Sequence, residues 1–239
     1  MEYNNLGIIG TSHIAKESVE EVKEAINREK PDIIALEIDK KRMYALLNKQ
    51  EAKISFYNIF RVGVKGFFFS LLGAWAEKKL GKLVGVSPGS EMLEAIKLAK
   101  KNKKKIALID QDIEVTLKKF SKSITWKEKF NFVADLFKAL FLKNKKQKIE
   151  FDLTKVPDEK IINELIKEVK ERYPNVYKIL VKQRNYIMAH NIFNLIHNNP
   201  GKKILAIVGA GHEKEILDLI KKESEGKITY TFNFGTAVV

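Results

Sequence analysis

Two stretches, Gly10-Thr11-Ser12-His13 and Gly209-Ala210-Gly211-His212, each set a histidine three residues after a glycine at the end of an apolar run. An uncharged imidazole can ligate a metal ion or accept a proton near neutral pH, so the pattern has chemistry in it. Carboxylates follow two further apolar runs, as Glu37-Ile38-Asp39 and as Asp110-Gln111-Asp112. Glu37 comes directly after a wholly apolar stretch, which predicts a buried carboxylate in need of a partner. Asp39 has a second use as the cap of the following helix, and Asp112 is the better cap of the helix beginning near Val115. Arg184 and Asn185 fall in a predicted helix over 178–196 whose buried side carries Met188 and Ala189. Arg184, four residues before Met188, is aimed the same way. An inward arginine must meet a carboxylate, and Glu37 or Asp110 would serve. Either that buried ion pair fixes the helix to the sheet, or Arg184 contacts a substrate or anion directly. His190 and His197 fall in a helix and read as packing or surface residues.

These residues act together only if the elements that carry them converge. Residues 6–9 read as a first strand and 32–36 as a second, joined by a helix with Val19, Val22, Ala25 and Ile26 at helical spacing. That helix ends before Pro31. Strand, helix and strand within about 35 residues form a βαβ unit with parallel pairing. Residues 105–109 and 204–208 give a third and a fourth strand, and 227–232 alternate as a last one.

Helices are expected between the strands. One covers 40–48 and one or two lie in 55–82; another is opened by Ser87 as N-cap with Pro88 at its first position. Met92, Ala95, Ile96 and Ala99 form the apolar stripe of that helix. The region 112–197 is helix-rich, with Phe132, Leu136, Ala139 and Leu140 recurring, a loop at 153–158 and a helix start near Pro174. The expected fold is α/β, a mainly parallel central sheet of about five or more strands flanked by helices. It forms one domain over 1–239 with helical insertions roughly at 40–103 and 113–200. Ligands of open parallel sheets sit outside the carboxyl ends of the strands, and all four polar clusters follow strands on that edge. The glycines allow sharp turns and close approach. Each histidine falls near a helix N-terminus, whose dipole favours the neutral ring.

With 45% hydrophobic and 31% charged residues, the chain can bury a sizeable core. The absence of cysteine excludes disulfides, thiolate metal sites and cysteine nucleophiles. No basic segment followed by an apolar run opens the sequence, so a cytoplasmic protein is expected. The apolar segment within 56–76 falls short of the roughly 20 residues that span a bilayer. It reads as a buried helix, with peripheral membrane or protein contact as the alternative. The formal net charge is +14, yet the lysines spread over nearly every predicted helix, as solvated faces do. No interleaving of aromatic and basic residues suggests a stacking platform, so no specific nucleic-acid partner is expected. A homo-oligomer is compatible with the sequence.

Further residues join these clusters into a larger pattern. Gly10-Thr11-Ser12-His13, Lys30-Pro31-Asp32 leading to Glu37-Ile38-Asp39 with Arg42, and Pro88-Gly89-Ser90-Glu91-Met92 form its first half. Asp110-Gln111-Asp112-Ile113, Arg184-Asn185 with Met188-Ala189, and Val208-Gly209-Ala210-Gly211-His212 complete it. Together they resemble the TraB/PrgY family, the pheromone-shutdown proteins and their archaeal relatives. That family is related to the TIKI metalloproteases and more distantly to erythromycin esterase-like and haem-binding proteins. The resemblance runs from residue 10 to residue 212 and implies a metal-dependent hydrolase, foremost a peptidase.

On that resemblance His13, His212 and Glu37 are expected to hold a divalent ion, with Glu37 alternatively the general base. His/carboxylate ligation without cysteine suits Mn, Co or Zn. Arg184 would stabilise an oxyanion and Asn185 would position it, while Asp110 is a further catalytic candidate that, like Glu37, could activate a histidine as general base. Two departures remove charge near the site: Gln111 stands in a place where the family often has arginine, and Gln183 where it often has glutamate. Many relatives also carry membrane-spanning segments after this domain, and this sequence shows none by its end at Val239. A peptide or small-molecule substrate is expected. The rival readings are a metal-independent, esterase-like hydrolase and a non-enzymatic binding or regulatory module for a peptide or tetrapyrrole. The expectation rests on the first and fourth strands lying near each other.

Overall fold

Residues 204–208, Ile-Leu-Ala-Ile-Val, have no polar side chain, and an unbroken apolar run of that length suits a parallel strand covered on both faces. The computed structural model describes residues 2–12, 16–48, 89–141 and 159–228, and places this run inside the sheet. Among the described residues the strands are β1 (Glu2–Tyr3), β2 (Leu6–Thr11), β3 (Ile33–Leu36), β4 (Lys105–Leu108) and β5 (Ile204–Gly209). Their order is β1-β2-β5-β3-β4. The last four are parallel to one another, while β1 pairs antiparallel with β2. Both neighbours hold β5 in register, with Leu6 opposite Ile204, Thr11 opposite Gly209 and Leu36 opposite Ile207. All of β5 is buried.

Helices cover both faces. They are α1 (Lys16–Glu29), α2 (Lys40–Leu47), α3 (Ser90–Lys101), α4 (Ile113–Ser123), α5 (Trp126–Phe141) and α6 (Glu159–Arg172). After them come α7 (Pro174–Tyr177), a π-helical turn (Lys178–Lys182), α8 (Gln183–His197) and α9 (Glu213–Ser224). Strand side chains alternate between faces, so two cores form. Ile8, Ile33, Ala35, Ala206 and Val208 pack with Met188, Ala189 and Ile192 of α8 and Ile216 and Ile220 of α9. Ile34, Leu36, Leu205 and Ile207 pack with Val22 and Ile26 of α1 and Met92, Ala95 and Ile96 of α3.

The α/β expectation holds, and so does the parallel sheet with flanking helices. Four details differ. Helix α3 begins at Ser90, not at Pro88, because Gly89 before it has φ 79°, a left-handed angle that no helix running through it could keep. The predicted helix over 178–196 contains the π turn, in which the Gln183 N–H bonds the Lys178 carbonyl five residues back. Phe132, expected on an apolar stripe, is exposed. Strand β1 was not anticipated; it is joined to β2 by a turn in which Asn4 takes φ 53°, a conformation asparagine tolerates.

Of the predicted last strand over 227–232, Lys227 and Ile228 belong to no strand and the rest lies outside the described residues. Also outside are Ser87 and Pro88, the helices in 55–82 with the apolar segment 56–76, and the loop 153–158. No helix among the described residues is long and apolar enough to cross a membrane.

Candidate active site

Parallel pairing puts the carboxyl ends of β2, β5, β3 and β4 along one edge, so whatever follows each strand becomes a neighbour of the others. The turns after β2 and β5 are knitted directly. The Ala210 N–H donates to the Thr11 carbonyl at 2.9 Å, and the buried Thr11 hydroxyl donates to the Val208 carbonyl at 3.2 Å. Gly10 is required here for room. A Cβ on it would lie 2.5 Å from Glu213 Oε2 and 2.8 Å from Ala210 Cα. His13 itself lies outside the described residues; the chain leads to it through Ser12, whose N–H donates to Ser18 Oγ at 2.9 Å.

Glu37, the first residue after β3, is 2% exposed. One oxygen, Oε2, accepts the Gly209 N–H at 2.6 Å; the other, Oε1, accepts from Arg184 Nη2. Arg184 reaches this point from the first turn of α8, just beyond the π turn, where its Nη1 donates to the Leu180 carbonyl at 3.2 Å. Its Nε and Nη2 also donate to Asp110, at 3.1 and 2.6 Å. Asp110 in turn takes a 2.5 Å bond from Arg42 Nη2, and Arg42 Nε donates to Asp39 at 2.8 Å.

The strand ends therefore carry an alternating chain of charge: Glu37, Arg184, Asp110, Arg42, Asp39. Burial by itself disfavours the Arg184 guanidinium, but Glu37 and Asp110 beside it outweigh that cost and push its pKa above the usual arginine value. The inward arginine predicted from the sequence thus meets both of its candidate partners. Its Nε and Nη2 are committed to carboxylates, which suits holding Glu37 and Asp110 in place better than stabilising an oxyanion.

Asp39 caps α2, accepting the N–H groups of Lys41 and Arg42, and Asp112 caps α4 by accepting the Glu114 N–H at 2.8 Å. Gln111 Nε2 donates to Thr116 Oγ1 at 2.8 Å. Gln183 Oε1 is buried with no hydrogen-bond partner among the described residues. His190 pairs with Glu223 at 2.6 Å, and His197 stacks near Phe193, both away from the strand ends.

His212 stands at the N-cap of α9. Its Nδ1 lies 2.5 Å from Asn185 Oδ1, and Asn185 Nδ2 donates to Glu215 Oε2 at 2.7 Å. Its Nε2 lies 3.5 Å from Glu37 Oε1. The structure thus brings Glu37, Asp110, Arg184, Asn185 and His212 into one cluster. Arg42 and Glu215 join it without having been singled out as site residues by the sequence. Arg42 was signalled by its place in the family pattern three residues after the capping Asp39, without a role, and Glu215 reads as an ordinary first-turn acid of a helix.

Two ligands at about 2.1 Å from a tetrahedral ion are about 3.4 Å apart, so the spacing of His212 Nε2 and Glu37 Oε1 fits two donors of one divalent ion. An Nδ1 bonded to a side-chain oxygen is also how metal-bound imidazoles are usually oriented. Among the described residues no group of three or more ligating side chains completes the set.

An α/β protein with its polar cluster at the carboxyl edge of a parallel sheet, between two glycine-rich strand ends, is the class these features define. The chain belongs to the TraB/PrgY/gumN family, whose pattern matches residues 3–230. It is 36% identical over 221 residues to an uncharacterized protein of Methanocaldococcus jannaschii, covering 92% of this chain and 54% of that one. It is 23% identical over 194 residues to a TraB domain-containing protein of Bos taurus, covering 77% of this chain and 50% of the bovine one. The chain spans about half the length of these curated relatives.

Proposed function

We propose that this chain is a hydrolase that cleaves amide bonds in peptides, with His212 and Glu37 at the reacting centre. The observation that carries the reading is the polarity of His212. Its Nδ1 is tied to an amide oxygen while its Nε2 faces a buried carboxylate at 3.5 Å. That arrangement presents a lone pair at the mouth of the strand ends. Glu37 accepts a backbone N–H and a guanidinium, and both favour its ionised form. It is therefore suited to holding and orienting positive charge, and His212 Nε2 is the better proton acceptor.

In hydrolysis a water oxygen adds to the amide carbon and gives its proton to a base at the site, which is His212 Nε2 only where no ion takes that lone pair; the C–N bond then breaks and the proton passes to the departing amine. Arg184 keeps Glu37 and Asp110 in place throughout. His212 and Glu37, joined by His13 on the family resemblance, are the residues that would hold Mn, Co or Zn. Such an ion, when bound, acidifies water and polarises a carbonyl.

A second reading, metal-independent hydrolysis with His212 as general base, is favoured by one observation. The Arg184 guanidinium already lies against Glu37 Oε1, where an ion's charge would otherwise be welcome.

The test joins elemental analysis of protein purified without chelator to cleavage of an internally quenched peptide mixture. Stoichiometric metal that is absent from His212→Ala, with a kcat/KM drop of about 10²–10⁴-fold in that variant, is the expected result. Cleavage that persists in strong chelator would select the metal-independent reading. A protein that cleaves nothing but gives a Soret band with haem would replace both with a binding module.

A further inference from the structure

We propose that Glu215 is a positioning residue which, through Asn185, fixes the tautomer of His212 and so decides whether the ring nitrogen facing Glu37 carries a hydrogen or a lone pair. The meaning of that tautomer for catalysis rests on the hydrolase reading; the hydrogen-bond logic does not.

An asparagine amide is nearly symmetric in shape, and either end can be turned toward a given neighbour. Against His212 alone, Asn185 has no preference. With its oxygen toward Nδ1 it demands an Nδ1–H, and with its nitrogen there it demands a bare Nδ1. The neighbour on the far side removes the choice. A carboxylate only accepts, so Glu215 Oε2, 2.7 Å from the amide, must be met by the Asn185 NH₂ group. The amide oxygen is then left toward His212, at 2.5 Å from Nδ1. Nδ1 must carry the hydrogen, so in the neutral ring the lone pair falls on Nε2, the atom 3.5 Å from Glu37 Oε1, whose carboxylate favours a second proton there.

The elements make the relay stiff. Asn185 is fully buried on α8, and Ile216, next to Glu215, is fully buried on the core side of α9, so neither helix can turn to offer another partner. His212 and Glu215 are three residues apart at the start of α9, which puts both on the side that meets α8. Reversing the amide would set its oxygen against the Glu215 carboxylate and lose that buried hydrogen bond whichever tautomer the ring took. A free histidine side chain favours hydrogen on Nε2, so the relay holds the ring in the tautomer it does not choose alone.

The experiment is a long-range ¹H–¹⁵N correlation of the histidine rings in the full chain, followed with rising pH until the ¹⁵N shifts show a neutral His212 ring. The His212 signals are assigned by their loss in His212→Gln. Wild type is expected to show a protonated Nδ1 and a bare Nε2. In Glu215→Gln, which keeps the volume but can donate as well as accept, Nε2–H should appear and become a substantial population.

Combining Asn185→Asp with Glu215→Gln keeps the donor and acceptor order of the relay, because the new amide donates to the new carboxylate. It should return the ring to Nδ1–H, a rescue that a merely structural role for Glu215 would not produce. Affinity for added Zn, read by calorimetry, should fall about 10–100-fold in Glu215→Gln and recover in the double variant.

A wild-type ring bearing its hydrogen on Nε2, or one unmoved by Glu215→Gln, overturns the proposal. A tautomer that follows the relay in a protein that neither binds metal nor cleaves peptide leaves the proposal standing and removes the hydrolase reading instead.

Discussion

Three carboxylates and two guanidiniums share the strand ends, and the loss of one charge is felt by the rest. Arg184 is the hinge of that set, because Glu37 and Asp110 are 2% and 1% exposed on their side chains and both depend on it. In Arg184→Met they lose a common counter-charge in a place water scarcely reaches. The expected cost is about 3–5 kcal/mol of stability, read as a lower urea midpoint. The deficit should shrink as pH falls, since protonating the orphaned carboxylates relieves it. A variant as stable as wild type at neutral pH would mean that Arg42 alone neutralises the cluster. Much at this scale was legible beforehand: a carboxylate ending an apolar strand and an arginine in step with Met188 predict burial and pairing. The geometry of Asn185 was not, because it depends on which helix lies across from α8.

Between α5 and α7 a smaller device holds the helical layer. Thr125 and Glu128 cap α5 reciprocally, with the Thr125 N–H on Glu128 Oε2 at 3.0 Å and the Glu128 N–H on Thr125 Oγ1 at 3.3 Å. Glu128 also accepts the backbone and side-chain N–H groups of Asn175, at 2.7 and 3.0 Å, which ties the start of α5 to α7. Burial works to raise the Glu128 pKa, but the donors from Thr125 and Asn175 together prevail and hold it below the usual carboxylate value.

A depressed carboxyl stabilises the fold above its unfolded-state pKa, and that contribution is lost as pH falls through the folded-state value. Glu128→Gln should therefore lower Tm at neutral pH, by an amount equivalent to about 1 kcal/mol. The gap to wild type should close on acidification. A constant gap across pH would assign the effect to shape and not to charge. The Thr125–Glu128 spacing is that of a capping box, which the reading of 112–197 as merely helix-rich did not pick out, and the link to Asn175 crosses a stretch with no local signal. The π turn before α8 was hidden for a similar reason. Its apolar residues fit an α-helix equally well, and the wider turn is known only from the bond it makes.

Across the molecule, the four parallel strands were read correctly because each is a short apolar run closed by polar residues. Their spatial order was not available from those runs. Strand β5 lies between β2 and β3, and Thr11 bonds Val208 from 197 positions away. Closing so long a loop costs more entropy than pairing β3 with its nearer neighbour β4, so β5 should enter late in folding. Ile207→Ala, at a fully buried position, should cost about 2–5 kcal/mol and express that loss mainly as faster unfolding with little change in refolding rate. A chevron whose refolding limb drops instead would place β5 in the nucleus. The same insertion bears on biosynthesis. While a ribosome is still adding α8, strands β2 and β3 have no partner between them, and Glu37 lacks the Gly209 amide that will hold it. The nascent chain therefore offers two bare apolar margins until its closing segment arrives, which makes it a natural client for chaperones that shield open strands.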